Sequence, residues 1–480
     1  MRKSFVILIA TVICVTGAVT GAQRGPDAQQ ALAAATSAMG AVRSLQYSGS
    51  GSDFVLGQHY DPSSPWPRFT VKSFTRQIDY EKNAIKTDRV RAQFENPPRG
   101  GGQQPVRGDQ TQSQTVIAAG APWVAQLELW MTPHGFLKAA ASRMPTARTQ
   151  RIGGKPFTVV TFTGENGAKV NGYINAQNLV ERVETWIDNP LYGDLQWEAV
   201  YSDYQAANGV QVPRHVIQRQ LGWPILDITV SDVQPNATVT IAAPPAAPPA
   251  PAAAAAVPTE KLGEGVYLIL GGYASIAVDF KDYIVLIESA QSEERGIQVI
   301  DAAKRLIPGK PIRYVINTHH HVDHSSGLRP VVAEGATVVT HEINKAWFDK
   351  LFAAPHTLNP DRLAKAPRKA KYELVKEKKV MTDGTHVIEI HHMQGNGHNA
   401  GLLMVYLPNE KVLLEADAYN PAANPNAPAP TPVSPYTANL VSEIARLNLD
   451  VQRLVPVHYP ADSRVVTRAE LMRIANPGTN

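Results

Sequence analysis

The densest run of metal-binding side chains in the chain is Thr318-His319-His320-His321-Val322-Asp323-His324. It follows directly on Ile312–Asn317, a short apolar stretch that reads as a strand. In an extended segment, residues two apart point to the same side, so His319 and His321 can converge on one cation. If the chain then turns into a helix, Asp323 and His324 fall in its first turn and can face a second cation nearby. Imidazole and carboxylate ligands suit zinc, and a hydrolytic zinc site keeps open positions for water. Eleven of the fourteen histidines lie after residue 258; only His59, His134 and His215 precede it.

Three further segments end in residues of the same chemistry. Gly395-Asn396-Gly397-His398 lies between the expected strands Val387–His392 and Leu402–Leu407. Val412–Asp417 is an apolar run ending in a carboxylate, and Leu454–His458 is one ending in an imidazole. Each side chain comes just past a strand end, where α/β proteins gather their sites. Upstream, Gly265–Leu270 and Ser275–Ile287 read as two buried strands. Glu293–Ile307 reads as an amphipathic helix with Ile297, Ile300, Leu306 and Ile307 on one side. Strand, helix, strand and loop in that order make an α/β layered pattern. A helix around Glu342–Phe352 and a basic, proline-interrupted surface insertion, His356–Lys371, follow.

In order and spacing, residues 259–480 resemble the metallo-β-lactamase superfamily of metal-dependent hydrolases, which implies an αββα sandwich. Matched residue by residue, the resemblance implies that His319, His321 and His398 hold one Zn2+. Asp323, His324 and His458 would hold a second, with Asp417 bridging the two; iron and manganese are the alternative metals. Asp323 and Asp417 would also position a hydroxide held between the ions and assist proton transfer. Two departures stand out. Glu288 occupies the place of a supporting Asp after the second strand, with a longer arm, and Ser325-Ser326-Gly327 replaces a paired glycine. His320 points away from its neighbours, toward a supporting or solvent role. Tyr419, Asn399 and Tyr459 flank the ligand positions and read as packing residues.

The resemblance implies hydrolysis of an ester-, lactone- or thioester-like substrate, with phosphoesters and sulfate esters also open. Asp417 argues against a β-lactamase, because secreted antibiotic-cleaving members generally lack a bridging Asp there. Glyoxalase-type thioesterases carry it together with a helical C-terminal domain, whereas 22 residues follow His458 here. The alternatives are an iron-dependent oxidoreductase on the same scaffold, a β-lactamase, and a ligand-carrying binding protein.

The rest of the chain divides by composition. Arg2 and Lys3 precede an apolar run, Phe5 to about Val19, and small residues Thr20-Gly21-Ala22, the layout of a signal peptide over 1–22 and of a periplasmic or secreted protein. Cleavage there removes Cys14, the sole cysteine, so neither disulfides nor thiolate ligands are expected. It also lowers the formal charge from +4 to +2, too mild a balance to suggest nucleic acid as a partner; a small-molecule substrate is expected instead, and no integral membrane segment after cleavage. Residues 27–43 read as an alanine-rich helix. The segment to Asn236 alternates with period two, apart from a polar stretch, Glu95–Thr115, expected as a mobile loop. A curved antiparallel sheet is expected over 23–236, similar in element order to periplasmic lipoprotein carriers, so a lipid ligand is a secondary expectation. Residues 237–258 are a Pro/Ala-rich spacer across which few contacts are expected.

Overall fold

The computed structural model describes residues 26–102, 105, 107–244, 257–289 and 291–476. The expected signal segment, 1–22, and the centre of the Pro/Ala spacer, 245–256, lie outside them. Among the described residues no helix is long and apolar enough to cross a membrane.

The N-terminal part opens with helix Ala28–Met39. Asp27 caps it by accepting a hydrogen bond from the Gln30 amide at 3.0 Å. Gly40 ends it at φ 84°, where a Cβ would collide with the Gly209 carbonyl. Eleven strands then form one antiparallel sheet. Its spatial order is Gln110–Ile117, Ala84–Gln93, Arg68–Asp79, Ser44–Phe54, Trp223–Pro235, Val210–Gln220, Gly193–Ala207, Val180–Asn189, Lys169–Ile174, Lys155–Thr163 and Thr146–Ile152. The first helix packs on the sheet together with Trp123–Trp130 and Pro133–Ala141, and these helices touch strands from both ends of the sheet, which therefore curls around them.

The polar stretch expected as a loop is ordered differently. Its last third belongs to the edge strand Gln110–Ile117, because the Gln side chains fasten it to its neighbour: Arg89 Nε donates to Gln112 Oε1 at 2.6 Å and Arg91 Nε to Gln110 Oε1 at 3.2 Å. The remainder carries a close contact to the C-terminal part, with the Gly100 amide donating to the Gly397 carbonyl at 3.0 Å.

After the spacer the chain builds two facing sheets with helices outside each, the αββα arrangement. The first runs Thr259–Gly263, Val266–Ile269, Ser275–Phe280, Tyr283–Ile287, Ile312–Ile316, Thr337–His341 and Lys371–Val375, antiparallel for three pairings and parallel for three. The stretch expected as a single strand over 275–287 is thus a hairpin, turning at Lys281 and Asp282. The second sheet runs Lys378–Thr382, Val387–His392, Leu403–Leu407, Val412–Glu415, Arg453–Pro456 and Val466–Thr467. Side chains such as Val285, Ile287, Val405 and Leu414 fill the space between the sheets. Helices Glu293–Leu306 and Leu328–Glu334 cover the outer face of the first sheet, and Pro435–Arg446 and Arg468–Ala475 that of the second.

The expectation of few contacts across the spacer does not hold. The N-terminal core and the helical layer over the first sheet form one continuous apolar cluster. The Asp194 carboxylate accepts from the Thr357 amide at 2.9 Å, its hydroxyl at 2.5 Å and the Leu358 amide at 3.0 Å. The stretch expected as a surface insertion is part of this contact. Its His356 and Asp361 are buried, and Asp361 pairs with the buried Arg329. A polyproline composition fixes the stiffness of a tether; the faces it joins can still dock.

Candidate metal centre

The strand Ile312–Ile316 delivers the histidine loop at the edge of the inter-sheet space, and Val322–Ser325 forms the expected short helix. Buried polar groups fix the loop. Glu288 accepts from the Thr318 amide at 2.6 Å, and Asn317 Nδ2 donates to the His324 carbonyl at 3.1 Å. Asp417 leaves its strand in the left-handed region, at φ 62°, an uncommon state for a non-glycine residue. The turn is held by the buried Glu415, whose Oε2 accepts from the Ala418 and Tyr419 amides, both at 3.1 Å. Burial pushes the Glu415 carboxyl up to about 8. Glu288, at φ 63°, shares the left-handed conformation; both outliers serve the same site.

All seven expected ligand residues come together. Three groupings place one ligand atom per residue within 4.8 Å of each other: His319, His321 and His398; His319, His324 and Asp417; Asp323, His324 and His458. The Asp417 carboxylate stands between them. Its Oδ2 lies 2.9 Å from His324 Nε2, 3.4 Å from His398 Nε2 and 3.5 Å from His319 Nε2, while Oδ1 lies 3.0 Å from His458 Nε2.

The imidazoles are oriented by their outward nitrogens. Thr318 Oγ1 lies 3.1 Å from His319 Nδ1, Glu288 Oε2 lies 3.4 Å from His324 Nδ1, and the His59 carbonyl lies 2.9 Å from His321 Nε2. That leaves His319 Nε2, His321 Nδ1 and His324 Nε2 facing inward, the pattern that fixes a ligating tautomer. Burial, reinforced by neighbouring imidazoles, holds His319 and His321 well below the usual range, so both are neutral and able to ligate. Burial also opposes charge on His324, but Asp417 and Asp323 outweigh it and raise that group. For Asp417 burial favours the neutral acid, but His398 and His324 prevail and hold it ionised.

These residues fit a metal centre. His321 Nδ1 and both Asp417 oxygens are buried without a well-directed hydrogen bond. His319 Nε2 and His398 Nε2 lie 3.2 Å apart, close to the edge, about 3.3 Å, of a tetrahedron with zinc–nitrogen bonds of 2.0–2.1 Å. Residues 269–458 match the family model described as the metallo-beta-lactamase superfamily. The C-terminal sandwich is a member of that superfamily.

Individual relatives are distant. Over 207 residues the chain is 23% identical to the 2,4-dinitroanisole O-demethylase subunit alpha of Nocardioides sp. (strain JS1661), covering 42% of this chain and 57% of that protein. Among solved structures it is similar to a metallo-beta-lactamase from Pontibacter korlensis, at 18% identity and TM-score 0.34, covering 46% of this chain and 97% of that one. It is also similar to the rubredoxin oxygen:oxidoreductase of Desulfovibrio gigas, at 14% identity and TM-score 0.34, covering 45% and 59%.

Around the metallo-beta-lactamase superfamily core, the remaining expected residues take definite places. Glu288 reaches both the loop backbone and His324, the supporting job assigned to it from sequence. His320 points away from its neighbours, as expected, but it meets protein instead of solvent. Its Nε2 lies 3.0 Å from His59 Nδ1 and its Nδ1 3.2 Å from Asn399 Nδ2. Tyr419 and Tyr459 bond to Glu470 and Arg453. Three contributors were not anticipated. Tyr273 donates its hydroxyl to Asp323 Oδ2 at 3.1 Å, Gln58 donates Nε2 to Asp323 Oδ1 at 2.8 Å, and His59 is buried against the histidine loop. Gln58 and His59 lie in an aperiodic loop far from the motif, and no sequence signal marks them.

Proposed function

We propose that this protein is a dinuclear zinc hydrolase of an ester-, lactone- or thioester-like small molecule, working outside the cytoplasm. The observation that carries this reading is the placement of Asp417 between the two histidine groups: its Oδ2 lies 3.4 Å from His398 Nε2 of one group and 2.9 Å from His324 Nε2 of the other, and its Oδ1 lies 3.0 Å from His458 Nε2. A shared carboxylate offsets the repulsion of two adjacent cations and fixes their spacing. His319, His321 and His398 would hold one ion, and Asp323, His324 and His458 the other. Zinc bound in such a site acidifies water and polarises a carbonyl. The chain's own residues arrange the rest. Glu288, Thr318 and the His59 carbonyl keep three imidazoles turned inward. Asp323 has a side chain 25% exposed against 2% for Asp417. It is therefore the carboxylate able to pass a proton between the site and solvent, while Tyr273 and Gln58 hold its two oxygens.

The test is metal quantification on the purified full chain, followed by turnover on an activated ester, a lactone, a thioester, a β-lactam and an aryl methyl ether. The ether joins the panel because of the similarity to a demethylase subunit. Two zinc ions per chain with ester, lactone or thioester cleavage is the expected result. An iron-coloured protein without hydrolysis would overturn the reading in favour of an oxidoreductase. Export predicts a mature terminus near Gln23, and intact Met1 in extracytoplasmic protein would contradict it.

A further inference from the structure

We propose that the N-terminal sheet contributes a working part of the metal centre through residues 55–60, with Gln58 as a positioning residue for Asp323 and the His59 carbonyl setting the orientation of His321. This inference rests on the two-ion reading above.

The contacts fall on one residue of each ligand group. Gln58 Nε2 donates to Asp323 Oδ1 at 2.8 Å while the Tyr273 hydroxyl donates to Oδ2 at 3.1 Å, so the carboxylate is gripped from both sides. One grip comes from the sandwich and one from the N-terminal sheet. A carboxylate with a partly exposed side chain and a single partner can swing about its terminal torsion, which is broad and roughly two-fold. Two partners hold it in one orientation before an ion arrives. His321 Nε2 donates to the His59 carbonyl at 2.9 Å, which leaves Nδ1 as the lone-pair nitrogen. That Nδ1 is buried and otherwise unpartnered.

The loop is fastened where it does this. The Val322 amide donates to the Gly57 carbonyl at 3.3 Å, the Ala400 amide to the Tyr60 carbonyl at 2.8 Å and the Gly101 amide to the Gln58 carbonyl at 2.8 Å. His59 lies edge-on to Trp347, ring centroids 4.9 Å apart, and its Nδ1 meets His320. Gly57 permits this approach. It sits at φ 73°, and a Cβ there would lie 2.7 Å from the Tyr192 hydroxyl and 3.0 Å from Val322 Cβ. The sandwich alone therefore lacks an acceptor for His321 and the second donor for Asp323.

The experiment uses the full chain and zinc itself as the probe. Stepwise zinc affinities are measured by competition with a chromogenic chelator for the unaltered protein, Gln58→Met, Gln58→Ala and Asp194→Ala. Gln58→Met keeps the length and removes the donor, and Gln58→Ala removes the amide without adding bulk. Both are expected to weaken one of the two ions about 10–100-fold, the usual cost of removing a partner of a ligand. The other ion and the melting temperature of the metal-free protein should be unchanged. Asp194→Ala loosens the separate contact to Thr357 and Leu358, so it should lower the melting temperature and leave both zinc affinities within about threefold. Undiminished binding of both ions in the Gln58 variants would overturn the proposal. Equal weakening in Asp194→Ala would also overturn it, because docking in general would then be responsible. An unaltered chain that holds fewer than two ions would instead overturn the dinuclear reading beneath it.

Discussion

Strand Leu403–Leu407 in the sandwich buries all five of its side chains, three toward the facing sheet and two toward the outer helices. Strand Gly193–Ala207 in the N-terminal sheet buries alternate residues such as Leu195, Trp197, Ala199 and Tyr201, and its other side chains are partly or fully exposed. A sheet locked between two layers holds its strand ends rigidly, and the expected ligands lie on the loops that leave such ends, most of them within a few residues. A sheet packed on one face has no comparable ends to offer, and it reaches the metal centre through loops, residues 55–60 against the histidine loop and Gly100 against Gly397. The same backbone geometry thus serves as scaffold in one half and as support in the other.

The severest way to break this comparison is to remove the supporting half. A fragment starting at Thr259 exposes Val322, Trp347 and the apolar helical layer that the N-terminal core covers. It is expected to be insoluble, or to melt well below the full chain, with weakened zinc binding. A soluble fragment holding two zinc ions as tightly as the full chain would show that the N-terminal sheet supports nothing. Next in size is Asp417→Asn, which keeps shape and removes the shared charge. Turnover should fall about 10²-fold or more, equivalent to about 2.7 kcal/mol, with about one zinc retained on His319, His321 and His398. Full metal content with unchanged turnover would leave the sandwich a fold without its proposed function.

The supporting half has its own acid weakness. Burial is the main cause that lowers His134 from its ordinary 6.5 to about 4, and its Nε2 lies 3.3 Å from the Met39 carbonyl. A histidine neutral in the fold but protonated when unfolded contributes full stability above pH 6.5, and this is lost as pH falls toward 4. The loss amounts to a few kcal/mol at most, on the order of 1.4 kcal/mol for each pH unit between those two values. In His134→Gln this component of acid unfolding should disappear, and a midpoint that does not move would discount His134. Smaller still, Gly57→Val should cost about 1–3 kcal/mol of stability from overpacking and strain. It should also weaken zinc binding by lifting the loop from Val322, whereas lost stability with intact zinc affinity would separate the loop's packing from its support of the ions.

Much of the sandwich was legible in the sequence because its apolar runs are continuous and its ligand residues follow them at once. The pattern at 312–324 placed strand, loop and short helix where they occur. The hairpin inside 275–287 was missed because Lys281 and Asp282 interrupt an apolar run too briefly to break its periodicity. In the N-terminal half, the alternation over 157–163, 169–174 and 195–204 revealed the strands, but Gln110–Thr115 reads as low complexity until its cross-strand partners Arg89 and Arg91 are known. The docking of the two halves left no trace in the sequence. It rests on individual contacts, such as Asp194 with Thr357 and Gln58 with Asp323, and isolated pairs carry no period.

The group that orients His321 is a main-chain oxygen, which gives the centre an unusual relation to mutation. Every substitution at position 59 keeps that carbonyl, so a saturation scan there reports on the imidazole and its contacts with His320 and Trp347, while the contact to His321 stays silent. Sequence at the loop can drift without loss of this support, provided the path of the backbone is conserved. Only changes that bend the path, as at Gly57, uncover it. A survey that ranks positions by sensitivity would overlook a contact that every variant inherits.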